Sequence, residues 1–146
     1  MSNFQFRLAT LLRLREVTRD ERRLQLAEVQ RTDAELEGEL ARLDFEQTQL
    51  QQECRTAAAP GAVDLGRVLG AQQYASTLRA AATELKQQRR SLAVEIDRRR
   101  EALLAADRDV RSLEKLCQRD LQARRQNEVR QEAKRLDEAA LQAVRT

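Results

Sequence analysis

Any chemistry in this chain would have to be built from carboxylates, guanidinium and ammonium groups and two thiols, because its 146 residues include no histidine and no tryptophan. Histidine is the commonest general base, pH switch and metal ligand. Without it the usual routes to nucleophilic and metal-assisted catalysis are missing, and the sequence reads as non-enzymatic, with no cofactor and no metal. Redox chemistry is the one reaction that Cys54 and Cys117 suggest. A disulfide needs Cα atoms within roughly 7 Å, and a hairpin turning near Pro60 would put Cys54 near its tip and Cys117 far down the second arm. Both also fall on an apolar repeat, so they read as small buried hydrophobes.

Electrostatic recognition is the next candidate. The sequence pI is about 9.3, yet 27 Lys and Arg are interleaved with 24 Asp and Glu to give a net charge of only +3. Arg98, Arg99 and Arg100, or Arg124 and Arg125, could touch nucleic acid or anionic lipid. No aromatic platform or known binding module accompanies them, so no nucleic-acid partner is expected. Spacings such as Glu95 to Arg99 and Asp107 to Arg111 instead suit i,i+4 ion pairs on a solvated helix face.

The elements that carry these residues are set by where the helix breakers lie. Pro60 is the single proline, and three of the four glycines, Gly61, Gly66 and Gly70, follow it within ten residues. On either side Leu, Ala, Glu, Gln and Arg dominate, the residues of highest helix propensity. Apolar residues make up 41% of the chain but aromatics only 3%, which excludes a large globular core and leaves helices that pair through stripes. The predicted fold is all-α, a long antiparallel two-helix coiled-coil hairpin forming a single domain over residues 1–146. One helix is expected over about 4–57, a turn with a short helix over about 58–70, and a second helix over about 71–143. Ala-Pro-Gly-Ala at 59–62 suits a type II turn, and Asp64 suits an N-cap. No apolar run approaches the roughly 18 residues of a membrane span, and Met1 to Arg15 lacks a signal peptide's apolar core, so a cytoplasmic protein is expected.

Heptad seams support the pairing. In the first arm they comprise Leu8, Leu12, Leu26, Val29, Leu36, Leu40, Leu43, Leu50 and Cys54. In the second they comprise Ala75, Leu78, Ala82, Leu85, Leu92, Ile96, Leu103, Ala106, Val110, Leu113 and Cys117. Between Leu12 and Leu26 the frame carries Arg15, Arg19 and Arg22, while Leu14, Val17 and Leu24 point elsewhere. A local phase shift would return those three to the partner helix; an outward stripe would offer them to another protein. Arg89 and Arg99 interrupt the second seam and can snorkel from it. Phe4 and Phe6 could staple the base over Leu113 and Cys117, or anchor a partner. Tyr74, Leu78, Ala81 and Leu85, at steps of four, three and four, make one face of the second helix near the tip. That face serves either coil packing or helix docking. Beyond about Gln118 the second helix has no intramolecular partner, which leaves Leu121, Leu136, Asp137 and Glu138, together with Leu116, as an apolar and charged handle.

Residues 4 to 16, Phe-Gln-Phe-Arg-Leu-Ala-Thr-Leu-Leu-Arg-Leu-Arg-Glu, resemble the opening of the FliJ family, the small soluble component of the bacterial flagellar type III export apparatus. Ser112-Leu113-Glu114-Lys115-Leu116 and Lys134-Arg135-Leu136-Asp137-Glu138-Ala139-Ala140 are similar to that family's C-terminal blocks, and the likeness extends over essentially the whole chain. The resemblance implies a stalk that inserts into a hexameric export ATPase ring and contacts the membrane export gate, with some affinity for export chaperones. It implies gate binding by Tyr74, Leu78, Ala81 and Leu85, and the C-terminal handle would engage the ring. It further implies a protein mainly monomeric alone, working at the cytoplasmic side of the cell membrane at the flagellar base, in flagellum assembly and hence motility. The equivalent stalk of a virulence secretion system, or a plain coiled-coil oligomerising adaptor, would share the same sequence pattern.

Overall fold

The computed structural model describes residues 5–58, 60–61 and 63–145. They form two helices, α1 over Ala9–Ala57 and α2 over Leu65–Arg145. The chain is an all-α helical hairpin with no strand among the described residues. α2 starts at Leu65, inside the expected turn over about 58–70, and takes in the short helix expected there. The cause is local: the Asp64 carboxylate accepts a hydrogen bond from the Arg67 backbone N–H at 3.3 Å, capping α2 itself. Gly66 and Gly70 are therefore helical. Among the described residues of the turn, Gly61 alone has an unusual backbone, with φ of 122°, a region that L side chains rarely adopt. Ala59 and Ala62 of the expected type II turn, and Phe4 of the expected staple, lie outside the described residues.

Contacts group the chain into two units, Arg23–Glu101 and Met1–Arg22 with Ala102–Thr146. In the first, cross-helix bonds fix direction and register. Tyr74 reaches Glu46, Arg89 reaches Asp33 and Arg99 reaches the carbonyl of Gln25, so numbers rise on one helix as they fall on the other. The pairing is antiparallel. This register sets Leu43 level with Leu78, and those two with Val29 are the unit's buried apolar residues. The remaining seam positions, including Leu36, Leu40, Leu50, Leu85, Leu92 and Ile96, are half-buried, as a two-helix seam with no third layer requires.

In the second unit the buried residues are Phe6, Ala106, Val110 and Leu113, with Val110 only 1% exposed. Phe6 thus lies in the core, as a staple would, and its carbonyl accepts from the Ala9 N–H at 3.0 Å to close the turn that opens α1. Arg15 crosses to Asp109 at 3.6 Å. The phase shift that would return Leu14, Val17 and Leu24 to the seam does not occur. They are 59%, 50% and 72% exposed. Glu16, Thr18 and Arg19 are the half-buried residues of that stretch; a long side chain can lay its methylenes along the partner helix while its charge stays wet.

Candidate partner-docking site

The tip face expected from Tyr74, Leu78, Ala81 and Leu85 divides in the structure. Leu78 is 5% exposed and belongs to the intramolecular core, whereas Tyr74 is 50% exposed. Ala81 and Leu85 are half-buried and, with Glu39, Arg42 and Glu84, line a shallow groove of about 330 Å³ between the helices. The Tyr74 hydroxyl donates to Glu46 Oε2 on α1 at 3.1 Å. That bond to a carboxylate, with the Glu46 charge adding to it, raises the phenol's pKa above its ordinary value. The side chain is therefore tethered through its hydroxyl while half of its surface stays exposed. Apolar surface with charged walls can seat an amphipathic partner segment.

One exposed aromatic was missed from sequence. Phe45 is 64% exposed on α1, and the only signal for it is its position off the seam, between the seam residues Leu43 and Leu50. A second groove, of about 230 Å³, lies nearer the turn, where the small residues Ala71 and Ala75 face Leu50 and Cys54. Cys54 and Cys117 are free thiols, each half-buried.

Two seam arginines are more than interruptions. Arg89 grips Asp33 with two bonds, Nε to Oδ1 at 2.9 Å and Nη2 to Oδ2 at 3.2 Å, with Glu37 at 3.9 Å. Arg99 donates to the Gln25 carbonyl at 2.7 Å and to Glu95 at 3.0 Å. The Arg89 hydrogen bond, helped by its charge, holds the Asp33 carboxyl below its ordinary pKa despite some opposing desolvation. Of the i,i+4 pairs expected on the outer face, Glu95 with Arg99 and Asp107 with Arg111 both form at 3.0 Å.

The C-terminal handle is exposed except at Leu121, which is half-buried. Leu121 and Arg124 are the last half-buried positions of α2, so intramolecular cover ends there instead of at about Gln118. From Arg125 to Arg145 every residue is exposed, Leu136, Asp137 and Glu138 included; Leu116 is 42% exposed. Among the described residues no group of three or more His, Cys, Asp or Glu could hold a metal ion, and no helix is long and apolar enough to cross a membrane.

The fold is an antiparallel helical hairpin with exposed apolar residues near its tip and along the end of α2. The family model described as Flagellar FliJ protein matches residues 4–146, nearly the whole chain. This chain belongs to that family, and is thereby a component of the flagellar protein export apparatus. No curated protein and no solved structure matches it significantly.

Proposed function

We propose that this chain is the non-catalytic stalk of the flagellar type III export apparatus. It inserts into the hexameric export ATPase ring, promotes the ring's assembly and activity, and couples it to the membrane export gate; escort of export chaperones is a secondary role. The stalk works in the cytoplasm at the base of the flagellum. The observation that carries this reading is the continuation of α2 through Arg125–Arg145 with every residue exposed, in a chain of the FliJ family. A helix that its own partner helix does not cover is available to another protein. Leu116, Leu121, Leu136, Asp137 and Glu138 are the proposed ring contacts. Tyr74, Leu78 and the groove lined by Ala81 and Leu85 are the proposed gate contacts.

Co-purification with the export ATPase, with ATP turnover and hexamer formation measured together, tests the ring assignment. A chain ended after Arg124 keeps every buried residue of the hairpin, so it should melt as the full chain does and fail to stimulate the ATPase. Full stimulation by the shortened chain would remove the ring assignment.

A further inference from the structure

The tail of α2 is patterned for a helix other than α1. Extending the seam from Leu113, Cys117, Leu121 and Arg124 leads next to Glu128, Gln131, Arg135 and Glu138, none of them apolar. Four apolar residues share a different face, with Leu141 and Val144 lying off it. Val129, Ala133, Leu136 and Ala140 repeat at steps of four, three and four, all exposed, and so form a fresh heptad stripe. In its frame Val129 and Leu136 are d positions, Ala133 and Ala140 are a positions, Arg130 and Asp137 are e, and Glu132 is g.

We infer that this stripe pairs with its own counterpart on a second copy of the chain, antiparallel, through the segment around residues 126–143. Antiparallel packing layers each a residue on a d residue of the other helix. Ala133 then meets Leu136 and Ala140 meets Val129, a small side chain against a large one in each layer, which lets the helices close with even packing. The flanks agree. In this register the Arg130 guanidinium lies opposite the Asp137 carboxylate of the other copy, and the two-fold axis makes the pair twice. Parallel pairing would instead layer alanine on alanine, and it would set g against the following e, which places Glu132 against Asp137 and Arg125 against Arg130. Both of those pairs are like-charged, and flanking charges of this kind choose helix orientation. Neither Arg130 nor Asp137 is committed to an ion pair among the described residues. The helix is already formed as part of α2, so pairing does not have to nucleate it. A self-paired tail covers Leu136 and Asp137 and so withholds them from any other partner.

The test uses the full chain alone, followed by sedimentation equilibrium over a concentration series. A reversible monomer–dimer equilibrium is expected. Leu136→Asp should abolish it without lowering the hairpin's melting temperature, because Leu136 is 71% exposed. Arg130→Asp turns two attractive pairs repulsive and should weaken the dimer about tenfold, judged from the usual strength of such pairs. Arg130→Asp with Asp137→Arg restores the complement and should restore the affinity. For orientation, a nitroxide on Gln126→Cys, with Cys54→Ser and Cys117→Ser, should find its twin about 25 Å away, the axial offset of antiparallel pairing at 1.5 Å per residue. A monomer at every concentration overturns the proposal. So does a dimer indifferent to Leu136→Asp or to charge reversal, or a label pair in close contact. The ATPase assignment is read separately, from co-purification and ATP turnover, so failure of self-pairing and failure of that assignment are distinguishable.

Discussion

Arg89 and Asp33 stand out among the individual residues because a guanidinium at a seam position would otherwise weaken the apolar contact between α1 and α2. Its two bonds to Asp33 turn it into a mark of register: sliding either helix by a turn would break both. Since the folded-state pKa of Asp33 is lowered, the ionised carboxylate is favoured by folding. That stabilisation is complete above the ordinary aspartate pKa of about 3.9 and is lost as pH falls through the lower folded value. Thermal melts should therefore show Asp33→Asn less stable than the parent at neutral pH, with the gap closing below about pH 4. A gap of constant size down to pH 2 would mean that the carboxylate charge is not what the site uses.

For the helices as elements, burial separates two kinds of leucine that composition treats alike. Leu43 is 8% exposed and level with Leu78, whereas Leu24 is 72% exposed on the same helix. Truncating a buried leucine commonly costs 2–5 kcal/mol, and the thin seam here, which can collapse around a gap, puts Leu43→Ala near the lower end, about 2 kcal/mol. Leu24→Ala should stay within about 0.5 kcal/mol of the parent. Urea unfolding of the two variants measures both. Equal losses would show that Leu24 is covered in solution, by a partner or by a second chain.

At the scale of the whole molecule, the two candidate docking regions fall in separate units, the tip groove in Arg23–Glu101 and the exposed tail in the unit that contains Ala102–Thr146. Their functions should therefore separate. Tyr74→Ala, which removes a half-exposed ring and one hydrogen bond to Glu46, should weaken gate binding by about 1–4 kcal/mol if the ring is an anchor, and reduce motility while ATPase stimulation persists. Tyr74→Phe keeps the ring and loses only the hydroxyl bond, so it should bind the gate nearly as the parent does. If Tyr74→Ala lowers the melting temperature but leaves gate affinity intact, the tyrosine serves the hairpin alone.

The sequence by itself determined the helical hairpin, because helix propensity, the cluster of breakers at 60–70 and the heptad spacing of the leucines are local properties that all point to one fold. It also marked most of the residues that the structure buries, Val29, Leu43, Leu78, Ala106, Val110 and Leu113, since a seam is a periodicity. What periodicity could not decide was the outcome wherever two stripes compete on one helix. Leu14, Val17 and Leu24 lost the seam to Glu16, Thr18 and Arg19, and Leu78 was claimed by the core while Tyr74 beside it stayed open. Those choices depend on which residues of α1 stand opposite which residues of α2. That register is fixed by contacts between residues far apart in sequence, such as Arg89 with Asp33 and Tyr74 with Glu46, and only the paired helices bring them together.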